Sequence, residues 1–198
     1  VHEGGCCRKS VKICSNGGEI IMNKTYAGIG SRNTPIDILF LMEDIGKFLA
    51  RCGYTLFSGH AQGADLAFET GCDRVNGNKK IFIPWAGFNG SDSPYNKVTL
   101  KAREIAGKYC RNYAYLPNTT QLLFARNSYQ VLGEDLDSPV DFIVCYTPEG
   151  KLKGGTSQAI RIAKDFEIPV FNFGNYEDDL EVAKEEFKKF IEPFVKEG

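Results

Sequence analysis

The chain has 198 residues, with 24 Lys and Arg against 25 Asp and Glu, for a formal net charge of −1. That length suits one domain with a full core, and 42% hydrophobic with 25% charged residues is the composition of an ordinary globular protein. The near-neutral balance argues against a strongly basic nucleic-acid binder, while leaving room for a local basic patch, and no apolar run approaches the about 20 residues of a membrane span.

Residues 1–21 differ from the rest of the chain. They are rich in Gly and Cys, show no periodicity and lack the apolar core of a signal peptide. Gly17-Gly18-Glu19 can be encoded by GGA-GGA-GAA, a purine-rich ribosome-binding sequence at a suitable distance before Met22. Residues 1–21 therefore read as a translated leader or a flexible arm without chemistry, and 22–198 as the domain. Of the seven cysteines, Cys6, Cys7 and Cys14 fall in this segment, and Cys52, Cys72, Cys110 and Cys145 are scattered singly. No Cys-x-x-Cys or Cys/His spacing suggests zinc, so the expectation is free thiols in a reducing cytoplasm and no metal.

From Met22 the elements alternate. Thr25 to Ile29 reads as a buried strand ending in glycines. Pro35 opens a helix with an apolar stripe of Ile36, Leu39, Phe40, Ile45, Phe48 and Leu49, closed by Gly53. Tyr54 to Phe57 is a second strand, and a helix through Ala64, Leu66, Ala67, Phe68 and Gly71 comes after a turn. Lys80 to Ile83 is a third strand, stopped by Pro84. A long loop carrying Trp85, Phe88 and Tyr95 leads to helices near Lys97 to Cys110 and Thr119 to Leu132. Asp141 to Tyr146 is continuously apolar, as a strand covered on both faces should be. A helix after Gly154-Gly155-Thr156, a strand at Val170 to Phe173 and an amphipathic helix over about Glu177 to Lys196 complete the chain. Strands alternating with helices predict a Rossmann-like, doubly wound α/β fold, with a mainly parallel sheet of five or slightly more strands and helices on both faces. Ligands of such folds bind at the carboxyl edge of the sheet.

Three turns there carry the candidate chemistry. In Gly28-Ile29-Gly30-Ser31-Arg32 the glycines admit an anion to the backbone, and Ser31 and Arg32 add donors. Ser58-Gly59-His60-Ala61-Gln62-Gly63-Ala64-Asp65 again joins a strand to a helix. Asp65 there suits ribose hydroxyls or the cap of its own helix, and His60 a ligand contact. Gly154-Gly155-Thr156-Ser157-Gln158 offers two glycines and two hydroxyls at a helix start, with Thr156 alternatively a plain N-cap. Trp85, Phe88 and Tyr95 suit either base stacking or packing beneath their loop, and Lys151-Leu152-Lys153 either phosphate attraction or a solvated hairpin.

These turns, with Arg126-Asn127, come after successive strands in order, and the set resembles the SLOG superfamily over nearly all of Tyr26 to Phe173. That superfamily unites the DprA/Smf DNA-processing proteins, the LOG phosphoribohydrolases and nucleotide-sensing domains of bacterial defence systems. The resemblance implies a Rossmann-like fold, a nucleotide-type ligand at these turns and a homo-oligomer. By analogy alone, it also implies a role in bacterial or phage nucleotide-signal defence or counter-defence. The LOG turn Pro-Gly-Gly-x-Gly-Thr-x-x-Glu supplies a carboxylate, whereas Thr156 here is followed by Ser157, Gln158 and Ala159. Cleavage of an N-glycosidic bond needs a negative charge or base near the anomeric carbon, which Gln158 cannot provide. Binding is therefore favoured over hydrolysis. If the chain is an enzyme, Arg126 would position phosphate and Asp65 or Glu69 would supply the carboxylate. A DprA-like single-stranded DNA binder is the third reading, disfavoured by the neutral charge. The expected ligand set is Gly28, Gly30, Ser31, Arg32, Ser58, Gly59, His60, Gln62, Gly63, Asp65, Trp85, Arg126, Asn127, Gly154, Gly155, Thr156, Ser157 and Gln158, with no separate cofactor and no membrane partner.

Overall fold

A computed structural model describes residues 24–195. The leader reading of residues 1–21, the start at Met22, Cys6, Cys7 and Cys14, and the helix end at Lys196 lie outside the described residues.

Five strands, β1 (Thr25–Gly30), β2 (Thr55–Ser58), β3 (Lys79–Ile81), β4 (Phe142–Tyr146) and β5 (Val170–Asn172), form one all-parallel sheet in the order β3-β2-β1-β4-β5. The register sets Ala27 beside Phe57 on one side and Ile143 on the other, and Val144 beside Phe171. Six helices cover the sheet: α1 (Ile36–Arg51), α2 (Ala64–Asp73), α3 (Leu100–Tyr109), α4 (Asn118–Leu132), α5 (Gly154–Asp165) and α6 (Leu180–Val195).

Because strand side chains alternate between faces, the sheet feeds two cores. Tyr26, Leu56, Phe142 and Val144 pack against α1, α2 and α6 through Met42, Phe68 and Phe187. Ala27, Phe57, Ile143 and Cys145 pack against α3, α4 and α5 through Ala106, Leu132 and Ile162. Every residue of β4 is buried, which is why its sequence shows no alternation. Tyr26 stacks on Phe142 at 5.8 Å, and each fully buried ring contributes about 1.5–3 kcal/mol. Among the described residues no helix is long and apolar enough to cross a membrane.

The apolar stripe of α1 differs from the expected one. Its buried residues are Ile38, Met42, Ile45, Gly46 and Leu49, whereas Ile36 and Phe40 are each 60% exposed and Phe48 43%. Gly46 sits beneath the α2 backbone, so two helices approach closely there and turn the stripe toward the smaller residues. Several boundaries also move, and β3 ends at Ile81 rather than Ile83. α3 begins only after Thr99, whose hydroxyl caps it from Ala102 N–H. α5 begins at Gly154, with Lys153 rather than Thr156 in the cap position. β5 ends at Asn172, and α6 starts at Leu180 after a short 3-10 turn.

The chain winds outward from β1 through β2 to β3, then returns to place β4 on the other side of β1. That reversal opens a crevice at the carboxyl ends of β1 and β4, the expected ligand position in this topology.

Candidate functional site

The crevice holds a cavity of about 340 Å³. Gly30, Ser31 and Arg32 form one wall after β1; Thr147, Pro148 and the Lys153–Thr156 stretch form the other after β4; Asp65 of α2 and Arg126, Asn127 and Gln130 of α4 form the floor.

An ion pair dominates the floor. Asp65 and Arg126 are 3% and 4% exposed, with Arg126 Nη1 3.3 Å from Asp65 Oδ2. Asp65 Oδ1 accepts from the Gly30 N–H at 3.1 Å, and Oδ2 also accepts from Gln130 Nε2 at 3.4 Å. Asp65 therefore does not cap its own helix, as the sequence allowed; it ties α2 to the end of β1 and to α4. Burial pushes its carboxyl above the ordinary range, against the opposing pull of Arg126 and the Gly30 N–H. Burial likewise lowers the Arg126 guanidinium from its usual value, opposed by Asp65. Arg126 Nε is buried without a hydrogen-bond partner among the described residues, and the Phe88 ring lies under the guanidinium at 5.9 Å.

Two glycines make room for this arrangement. A Cβ on Gly59 would stand 1.3 Å from Arg126 Nη1. Gly63, at φ +85°, approaches the Ser31 carbonyl so closely that a Cβ there would stand 2.5 Å from it.

The second wall is an open helix start. Among the described residues no side chain caps α5, so its first-turn N–H groups and the positive end of its dipole face the cavity. Asn127 Nδ2 donates to the Gly155 carbonyl at 3.1 Å and to Gln158 Oε1 at 3.2 Å, fixing α5 against α4. The rim is tethered from beyond β5. Glu177 Oε1 accepts from the Tyr146 hydroxyl at 2.5 Å and from the Glu149 N–H at 2.6 Å. Asn172 meanwhile accepts from the Thr147 N–H at 3.0 Å and donates to the Thr147 hydroxyl at 2.7 Å.

The cavity thus brings together Gly30, Ser31, Arg32, Asp65, Arg126, Asn127, Gly154, Gly155 and Thr156. The other expected residues stand elsewhere. Gly28 lies under Phe68 and Leu56, where it permits close packing of α2. The Ser58 hydroxyl donates to the Gly28 carbonyl at 2.7 Å and stitches β2 to β1. His60 Nδ1 contacts Glu69 Oε2 at 2.8 Å, and Glu69 Oε1 takes Lys79 at 2.8 Å, so His60 and Glu69 form a network outside the cavity lining. Gln62 is exposed, Ser157 donates back to the Gly154 carbonyl at 2.6 Å, and Gln158 is wholly buried behind Asn127. Trp85 meets Phe88 edge-on at 5.3 Å, and Tyr95 packs on Phe82 at 5.4 Å. The aromatic loop therefore builds the support under Arg126 and is not among the cavity-lining residues. Gln130 and Thr147 line the cavity and are absent from the set expected from sequence. Gln130 could be found as the residue one helical turn after Arg126; Thr147 gives no signal.

No family model matches the sequence, and no curated protein matches it. Solved structures do resemble it. The Moco carrier protein of Chlamydomonas rheinhardtii is 16% identical at a TM-score of 0.50, with 85% of this chain and 84% of that one covered. The Helicobacter pylori DNA processing protein A, described with a single-stranded DNA binding mode, is 19% identical at a TM-score of 0.49, covering 75% of this chain. The present chain spans 64% of that protein's length. DprA from Streptococcus pneumoniae is 14% identical at a TM-score of 0.44, covering 76% of this chain and 50% of that one. At 16% identity, what the likeness to the Moco carrier protein shows is the fold alone.

Proposed function

We propose that this chain is a SLOG-type protein that binds a nucleotide or nucleotide-derived ligand in the β1/β4 crevice. The phosphates would lie between the Ser31–Arg32 turn and the start of α5, and the sugar would lie over Asp65 and Arg126. The observation that carries this reading is one cavity of about 340 Å³ lined by both glycine turns and by the buried pair. The volume falls within the range of small-molecule sites. Arg32 and Lys153 add positive charge at its lining beyond the Asp65–Arg126 pair, and an uncapped helix start suits an anion.

Denaturing the purified protein and identifying the released small molecule by mass spectrometry tests the reading directly. Titration of nucleoside mono- and diphosphates by calorimetry should give saturable binding that Arg32→Ala weakens by about 1–3 kcal/mol, as expected for one charge-assisted contact. Absence of both a co-purifying nucleotide and saturable binding refutes it.

A second reading, hydrolysis of a nucleotide N-glycosidic bond, is favoured by one observation: Asp65 is a carboxyl in the cavity whose proton affinity is raised by burial. Glu69, the other candidate, is occupied by His60 and Lys79. Incubation with nucleoside monophosphates should then release free base, and Asp65→Asn should abolish the release. Intact nucleotide bound without turnover leaves the binding function alone.

A further inference from the structure

A second recess opens where the C-terminal ends of α3 and α5 meet, and none of its residues belongs to the crevice. It is lined by Lys108, Tyr109, Arg111, Arg161, Lys164 and Asp165. Four cations thus face one carboxylate, in a chain whose charges otherwise nearly balance. Asp165 Oδ2 is already taken, by Lys108 Nζ at 3.1 Å and by the Tyr109 hydroxyl at 2.9 Å. Arg161 is held by neutral partners: Nη1 donates to the Tyr109 carbonyl and Nη2 to the Leu152 carbonyl, each at 3.3 Å. Those bonds fix the guanidinium without cancelling its charge. Arg111 and Lys164 are exposed and make no ion pair among the described residues. The ordinary duty of such cations is to offset helix C-termini, and Tyr109 and Asp165 are the last residues of α3 and α5. Each end presents about half a negative charge. The two ends and Asp165 together therefore offset about two of the four cations, and about two positive charges are left over.

We propose that this recess is a second anion site, which takes the phosphate group of a small molecule independently of the crevice. One phosphate group carries about 1.5–2 negative charges at pH 7, which matches the excess. Arginine forks bind two phosphate oxygens at once, and lysines add point charge. Arg161 is already fixed, so little of its freedom is left to lose on binding. A nucleic-acid strand fits less well, because strands held without sequence preference also stack their bases on aromatic faces. The ring in this lining, Tyr109, has Lys108 Nζ over its face at 4.8 Å and its hydroxyl on Asp165. The recess offers charge without a stacking platform.

Amide NMR spectra of the isotope-labelled protein, titrated with inorganic pyrophosphate against sodium chloride of equal ionic strength, test the proposal. Pyrophosphate should shift the amides of residues 108–111 and 161–165 saturably, and chloride should not. Lys164→Gln and Arg111→Gln should each raise the pyrophosphate concentration needed by about fivefold, the effect of one unit charge about 4 Å away through water. Neither side chain makes a hydrogen bond among the described residues, so the fold should survive both changes. Asp165→Asn should lower the concentration needed by about fivefold, because it removes the one opposing charge. Damage to the fold cannot produce that gain. Shifts confined to residues 30–32 and 153–156 place the anion in the crevice alone and overturn the proposal. So do shifts at the recess that chloride reproduces, or that all three variants leave unchanged. A single-stranded oligothymidylate that moves the same amides at far lower concentration than pyrophosphate makes the recess a nucleic-acid surface, and also overturns it.

Discussion

Gly59→Ala is the smallest change that should disable the cavity. Gly59 is buried, and its φ is not positive, so a methyl group there carries no backbone strain and its cost is one of space alone. The added carbon would stand 1.3 Å from Arg126 Nη1, 2.4 Å from Arg126 Cζ and 2.7 Å from Gln130 Nε2. Nη1 must retreat by about 2 Å to recover an ordinary contact. Its bond to Asp65 is already 3.3 Å long, and the side chain is only 5% exposed, so it has no solvent route by which to adjust. Breaking a buried pair by displacing one partner costs about 3–5 kcal/mol. In a domain of this size that lowers Tm by about 6–20 °C. Thermal unfolding followed by circular dichroism reads the first effect, and calorimetric titration of the ligand reads the second, a large loss of affinity. A double-mutant cycle isolates the cause: in an Arg126→Ala background, Gly59→Ala should be nearly silent. A Gly59→Ala protein that melts and binds like wild type, or a full Gly59→Ala penalty without Arg126, would refute the reasoning.

Two further outcomes concern the buried groups. Asp65 is raised in the folded state, so the stability it contributes is complete below its unfolded value near pH 4 and declines as pH rises toward the folded value. Asp65→Asn should remove that declining segment from a plot of unfolding free energy against pH, and an unchanged slope would count against the assignment. Cys145 is fully buried with its thiol pushed well up, and Cys72 is buried and pushed up to about 11, whereas Cys52 and Cys110 are partly accessible. Iodoacetamide labelling read by mass spectrometry should modify Cys52 and Cys110 in the native protein. Cys72 and Cys145 should react only after denaturation.

The fold was legible because its signals are local. Continuous apolar runs such as Phe142 to Cys145, and small residues after the first, second and fourth strands, mark a buried parallel sheet whatever its partners. The cavity lining was legible at turns that lead straight into it, Gly30 to Arg32 and Gly154 to Thr156, and at Asp65, Arg126 and Asn127. Of the middle turn's eight residues only Ala61 and Asp65 line the cavity, and Ser58, His60 and Gly63 take part in packing and backbone geometry. The value of Gly59 lies in a contact with Arg126, far along the chain, which no window of sequence can show. The stripe of α1 was misplaced for a similar reason. The Phe residues fit the helical period, but the close approach of α2 at Gly46 chose the face.

The Glu177 tether has a thermodynamic corollary. Thr147 and Pro148 belong to the cavity wall, and the turn they begin is fastened to residues 172–177 as well as to its own neighbours. A ligand that grips this wall must therefore stabilise the segment leading into α6, and, by reciprocity, anything that loosens that segment must weaken the ligand by the same free energy. The segment leading into α6 becomes a second handle on occupancy: hydrogen exchange there would report whether the cavity is full.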